Sequence, residues 1–238
     1  MMARPRYLVM VAAGSGHRMG GGLPKQFLLL GGRVILLRSI DVFRRAVPGI
    51  KVVTVLAPEW KEHWRDLCMQ HRFFYPQSMA DGGLTRFHSV QNALAQIPDE
   101  ALVAIHDGVR PLLSEELVRD LFQRAETADG VIPCLPVVDT LRCLQMADGV
   151  GRFGGKDLPA RSELYAVQTP QLFDAALLKA AYTLPFEPDF TDDASVVERY
   201  IWQQGLPQKI EYVPGERHNI KLTTPEDLLL AEAILKTR

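Results

Sequence analysis

Tyr7-Leu8-Val9-Met10-Val11-Ala12-Ala13-Gly14-Ser15-Gly16-His17-Arg18-Met19-Gly20-Gly21-Gly22-Leu23-Pro24-Lys25 joins an apolar run directly to a glycine-rich, cationic segment. Its first seven residues are apolar without alternation, the pattern of a strand buried on both faces in a parallel sheet covered by helices. Glycines follow at once. With no side chains in the way, the backbone N–H groups of such a loop can approach phosphate oxygens, and Arg18 and Lys25 supply two cations for a polyphosphate. The loop is not a P-loop, because no Gly-Lys-Ser/Thr follows, and it departs from the dinucleotide fingerprint at Met19, where a third glycine would stand. Taken alone, the glycines would serve equally well as a tight turn, and the cations as solvated surface charge.

Further short apolar runs at 52–56, 102–105 and 131–135 also read as buried strands. Helical patterns at 34–45, 59–70, 85–95, 114–126, 174–182, 194–203 and 225–236 alternate with them. This rhythm predicts an α/β protein with a mainly parallel sheet and flanking helices. The last helix is the best marked: Thr224 can cap it, Pro225 suits its first position, and Glu226 and Asp227 favour its positive end. Residues 140–163 break the rhythm with a strand-like 140–145, an Asp148-Gly149 turn signal and few apolar residues, which predicts a β-hairpin arm leaving the main body. Nothing divides the rest, so residues 1–238 are expected to form one domain that includes this arm.

Composition narrows the function. The chain of 238 residues carries 27 Lys+Arg against 28 Asp+Glu, a net charge of −1, which argues against a basic coat for nucleic acid. That average hides a contrast: residues 1–50 hold eight basic residues and one acid, whereas residues 101–150 hold four basic residues and eight acids. Cys68, Cys134 and Cys143 are scattered and odd in number, so neither a disulfide framework nor a zinc knuckle is expected. The 7–13 run is too short for a membrane span, and a reducing cytoplasm is the expected setting. The six histidines fall at no metal-binding spacing, and Trp60, Trp64 and Trp202 are expected to pack helices.

The pattern Ala12-Ala13-Gly14-x-Gly16-x-Arg18-Met19 followed by Pro24-Lys25-Gln26 resembles the opening of the 2-C-methyl-D-erythritol 4-phosphate cytidylyltransferases. The resemblance continues through Gly82-Gly83-x-x-Arg86-x-x-Ser89-Val90, His106-Asp107-x-x-Arg110-Pro111, Asp139-Thr140, Gln168-Thr169-Pro170-Gln171, Thr191-Asp192-Asp193-Ala194-Ser195, Asn219-Ile220-Lys221 and Pro225-Glu226-Asp227-Leu228. It spans nearly the whole chain. It implies a Rossmann-like nucleotidyltransferase fold and transfer of a cytidylyl group from CTP to methylerythritol phosphate, with Mg²⁺ bound mainly through the CTP phosphates. The attacking phosphate is already ionised at neutral pH, so such a reaction needs alignment and charge neutralisation more than a strong base.

Residue by residue, the resemblance makes Arg18 and Lys25 the pair that stabilises the transition state, beside a nucleotide loop of Ala12, Ala13, Gly14 and Gly16. Gly83 and Ser89 match the cytosine-recognising segment, with Arg86 steadying it. Leu84 departs from relatives that place an acid there. Asp107 is expected near ribose and acceptor, with Arg110, Thr140 and Thr169 as acceptor contacts. Arg161 and Lys221 match the pair that positions the attacking phosphate. The resemblance also implies a homodimer in which the arm carries Arg161 to the neighbouring subunit's site. Direct protein ligands for the metal are left open. Thr191-Asp192-Asp193 reads as a capping cluster that anchors a nearby loop. The rival readings are a pentitol-phosphate cytidylyltransferase using ribitol 5-phosphate, and a nucleotide-binding regulator without catalysis.

Overall fold

The computed structural model describes residues 4–14, 22–155, 157–207 and 210–237. In chain order they form β1 (Arg6–Val11), β2 (Leu29–Leu30), β3 (Arg33–Val34), α1 (Ile35–Ala46), β4 (Lys51–Leu56), α2 (Lys61–Gln70), β5 (Gln77–Asp81), α3 (Arg86–Leu94), β6 (Leu102–Asp107), α4 (Glu115–Arg124), β7 (Gly130–Pro136), β8 (Leu144–Ala147), β9 (Val150–Phe153), β10 (Tyr165–Val167), β11 (Gln171–Asp174), α5 (Ala175–Ala181), α6 (Asp193–Gln204), β12 (Ile210–Pro214) and α7 (Pro225–Lys236).

The unbroken apolar runs form the middle of the main sheet. β1 lies between β6 and β4, parallel to both, with Val9 opposite Ile105 on one side and Val53 on the other. β5 extends the parallel part beyond β4. On the other side β11 runs antiparallel between β6 and β7, and β12 pairs in parallel with β7. β10 and β11 follow one edge of β7 in succession: Val167 stands opposite Cys134, and Leu172 opposite Val131. They behave as one strand interrupted at residues 168–170.

Side chains alternate across this sheet. Leu8, Met10 and Ala104 pack with α1 and α4 on one face, and Val9, Val53, Val103 and Ile105 pack with α3, α5 and α6 on the other. Each fully buried aliphatic side chain contributes about 1.5–3 kcal/mol, so these two layers hold the strand ends rigidly. Five of the helices start at a side-chain cap. Thr85, Ser114, Asp174, Asp192 and Thr224 each accept a hydrogen bond from a first-turn N–H, and the last two form capping boxes.

β8 and β9 make a separate two-stranded hairpin with every residue exposed. Asp148 and Gly149 turn it with φ of 51° and 76°, the twist that matches right-handed strands. Its first strand starts later than the sequence predicts: residues 140–143 are irregular, and pairing begins at Leu144.

Candidate active site

The carboxyl ends of β1, β5 and β6 open into a cleft of about 820 Å³, where ligands of open α/β sheets gather. Ala12, Ala13, Gly14 and Lys25 form one wall, and Gly83, Arg86 and Ser89 face them; Asp107 and Lys221 also line the cleft. Gly16 and Arg18, the other expected members of the first loop, lie outside the described residues.

Asp107 is the electrostatic centre. Lys221 Nζ reaches its Oδ2 at 2.9 Å, and the Nε atoms of Arg110 and Arg86 stand 3.5 Å from Oδ2 and Oδ1. Burial alone would raise the Asp107 carboxyl, but the three cations outweigh it and hold the group well below the ordinary carboxylate range. The cleft therefore has one permanently ionised acid wrapped in positive charge.

The loops beside it are braced from beneath. The buried Gln26 donates from Nε2 to the carbonyls of Ala12, at 2.7 Å, and Gly14, at 3.1 Å, which fixes the start of the glycine loop. Lys25 precedes it on a short turn whose Phe27 packs against Trp60, His63 and Trp64. Across the cleft, Gly83 N–H donates to Ser89 Oγ at 3.0 Å, and that hydroxyl donates to the Thr85 carbonyl at 2.9 Å. A Cβ on Gly83 would stand 2.4 Å from His88 Cβ, so the loop can approach α3 this closely only with glycine. Leu84, next to it, is 96% exposed on the cleft wall.

The model of the IspD family, 2-C-methyl-D-erythritol 4-phosphate cytidylyltransferase, matches residues 7–237. The chain belongs to this family. It is 45% identical over 230 residues to the 2-C-methyl-D-erythritol 4-phosphate cytidylyltransferase of Bacteroides fragilis, covering 97% of this chain and 99% of that protein. The same enzyme of Bacteroides thetaiotaomicron is 44% identical over 228 residues, 96% and 98% of the two chains. Among solved structures, the 4-diphosphocytidyl-2C-methyl-D-erythritol synthase of Anaerococcus prevotii superposes with a TM-score of 0.77 at 29% identity, over 98% of this chain and 96% of that one.

Several motifs of this cytidylyltransferase chain act as one support for Lys221. Gln168 donates to the Glu216 carbonyl at 2.8 Å and accepts from Glu216 N–H at 3.1 Å. Asn219 donates to the Thr169 carbonyl, and Arg110 Nη1 donates to the Asn219 carbonyl, both at 2.8 Å. Arg110 and Thr169 thus sit behind Asp107. The Thr169 hydroxyl is buried and bonded within the protein, to Asp107 N–H and His106. Thr140 and Arg161 are brought together elsewhere, in a cavity of about 570 Å³ on the arm with Arg142 and Phe153. Arg161 is exposed there and donates to the Val138 carbonyl.

Asp192 caps α6, as the sequence predicts, while Asp193 is fully buried and clasps Arg86. Gln26 and His106 are the structural members that sequence reasoning passed over. Each adjoins a charged site residue in sequence, Gln26 next to Lys25 and His106 next to Asp107, and that adjacency is the signal the sequence offers. Among the described residues no cluster of His, Cys, Asp and Glu is arranged to hold a metal ion, and no helix is long and apolar enough to cross a membrane.

Proposed function

We propose that this chain transfers the cytidylyl group of CTP to 2-C-methyl-D-erythritol 4-phosphate, forming 4-diphosphocytidyl-2-C-methyl-D-erythritol and pyrophosphate. The observation that carries the reading is the cleft itself: Lys25 and a glycine-led backbone face Asp107 and Lys221 at the strand ends, in a chain that matches the family from residue 7 to residue 237.

An oxygen of the acceptor phosphate attacks the α-phosphorus in line. The new P–O bond forms as the bond to the β-phosphate bridge oxygen breaks, and pyrophosphate carries away the electron pair. Lys25 and Arg18 neutralise the charge that grows on the α-phosphoryl oxygens and the departing pyrophosphate. Gly83 and Ser89 border the cytosine site, where small residues let backbone groups come close enough to pair with the edge of a pyrimidine. Lys221 holds the acceptor phosphate, with its ammonium set by Asp107.

The donor set fits Mg²⁺ that arrives on the triphosphate and keeps much of its water, because the Asp107 carboxylate is already compensated by three cations. When bound, the ion neutralises phosphate charge.

Arg161 and Thr140 complete the acceptor site of a second copy of the chain, giving a homodimer in which residues 1–238 of each copy work as one unit and the arm is exchanged. Leu144, Met146, Val150 and Phe153 are all more than half exposed on a hairpin too small to be stable alone, which supports docking of the arm on a partner. A cytoplasmic setting agrees with Cys68, Cys134 and Cys143, which are all free thiols.

Pyrophosphate release, measured with each nucleoside triphosphate against methylerythritol phosphate and ribitol 5-phosphate in Mg²⁺, tests the reading. Turnover is expected with CTP and methylerythritol phosphate. Its absence, or a preference for ribitol 5-phosphate, would overturn the assignment.

A further inference from the structure

His106 has no part in the chemistry above, yet it is completely buried on β6 and both its ring nitrogens are engaged. Nε2 lies 3.1 Å from the Arg110 carbonyl oxygen, which can only accept, so Nε2 carries the proton. Nδ1, 3.1 Å from the Thr169 hydroxyl, is then the acceptor. The same hydroxyl oxygen accepts from Asp107 N–H at 3.1 Å. A directed chain results: Asp107 N–H to Thr169 Oγ1, Thr169 O–H to His106 Nδ1, and His106 Nε2–H to Arg110 C=O.

Strand alternation puts the His106 and Asp107 side chains on opposite faces of the sheet, and Thr169 links them past the end of β11. Phe43 packs edge-on against the imidazole with ring centroids 5.0 Å apart, which leaves the ring little freedom. An aliphatic residue would fill this core position without desolvating two polar nitrogens. Burial pushes the His106 pKa down to about 4, so the ring is neutral near pH 7 and does not exchange protons with a substrate.

We infer that His106 is a positioning residue. By gripping the Arg110 carbonyl with one nitrogen and the Thr169 hydroxyl with the other, it sets the backbone of residues 107–110, and so the point at which the Asp107 carboxylate meets Lys221.

The kinetic part of the test rests on the cytidylyl-transfer reading, so the first measurements need no turnover. Nitrogen NMR of the full chain is expected to show a neutral Nε2–H imidazole at pH 7; a protonated ring or an Nδ1–H tautomer would overturn the inference. Exchange of the Asp107 amide proton is expected to quicken about tenfold or more in His106→Leu and in Thr169→Val. An unchanged rate in both would also overturn it.

With CTP and methylerythritol phosphate, His106→Leu is expected to lower kcat/KM for the acceptor about tenfold and leave the KM for CTP within about twofold. His106→Gln, which keeps an N–H near the Nε2 position, recovers part of the loss. The His106→Leu, Thr169→Val double variant falls no further than the worse single variant, because both cut one chain. Equal losses for both substrates, or additive effects, would overturn the inference. Should His106→Leu fail to fold, Thr169→Val cuts the chain from its other end. A wild-type protein that fails to turn over sinks the functional reading, while the ring tautomer and the Asp107 amide still decide the role of His106.

Discussion

Arg86 closes its two terminal nitrogens on the two carboxylate oxygens of Asp193, at 2.9 and 2.7 Å, and sets its Nε 3.5 Å from Asp107. One guanidinium thereby ties α3 to the start of α6 and to the end of β6. Burial works against its charge, but Asp193 and Asp107 outweigh that effect and keep it protonated. Asp193→Ala leaves the guanidinium only the Asp107 carboxylate, which it shares with Arg110 and Lys221, and is expected to cost about 3 kcal/mol in urea unfolding. Arg86→Lys cannot span both oxygens and should lose a smaller part of that. Wild-type stability in both variants would show the clasp to be dispensable.

Lys25 is expected to act in the transition state more than in the ground state. Lys25→Ala should lower kcat by about 10²-fold with a much smaller change in the KM for CTP, and Arg18→Ala should behave alike. Steady-state kinetics separates the cases: an effect confined to KM would make either cation a ground-state binder.

The buried imidazole gives a pH signature of known sign. The folded-state pKa of His106, about 4, lies below its ordinary value of 6.5, so between these values the unfolded chain holds a proton that the native chain does not. This contribution is full above pH 6.5 and is lost as pH falls toward 4, by about 3 kcal/mol. Asp107, with its lowered pKa, adds slope only at the acid end of that window, as pH falls below about 5 and the unfolded carboxylate begins to protonate, and it does so equally in the wild type and in His106→Gln. Unfolding midpoints from pH 7 to pH 4 should fall more steeply for the wild type than for His106→Gln; parallel curves would refute this.

Gly83→Ala tests the close approach of the loop to α3. The added methyl meets His88 Cβ at 2.4 Å, so the loop must move outward. The expected outcome is a raised KM for CTP, about tenfold, with a change in melting temperature of only a few degrees. An unchanged KM would detach this loop from base recognition.

Mixing two inactive proteins tests the exchanged arm. Arg161→Ala and Lys25→Ala each disable one half of a composite site; in a heterodimer both lesions fall together in one site and leave the other intact, so each mixed dimer is expected to regain one wild-type site, about half the activity of a wild-type dimer. No recovery after subunit exchange, verified by mixed dimers in native mass spectrometry, would count against sharing.

The sheet centre was legible because β1, β4, β6 and β7 are buried on both faces over most of their length, which leaves the near-continuous apolar runs 7–13, 52–56, 102–105 and 131–135. The helices were legible through their apolar periodicity, and Thr224 and Pro225 mark α7 to the residue. β5 and β12 were not, since Gln77-Ser78-Met79-Ala80-Asp81 and Ile210-Glu211-Tyr212-Val213-Pro214 are partly exposed strands of mixed polarity. β10 and β11 escaped because three and four residues carry no readable period. In the site, residue types announced charge and close backbone approach at Lys25, Asp107, Lys221 and Gly83. They could not announce that Thr169 turns inward or that Arg86 spans to Asp193, because those contacts join residues 62 and 107 positions apart.

The break between β10 and β11 has a further consequence for anyone who sets out to engineer this protein. Thr169 can reach the Asp107 amide because residues 168–170 leave the ladder there. A redesign that made residues 165–174 one continuous strand would satisfy more backbone pairing and pass ordinary stability screens, yet it would swing the hydroxyl out of reach. Thermostabilisation guided by sheet regularity would thus select against catalysis at this spot, and the irregular tripeptide should be held fixed while the rest of the scaffold is optimised.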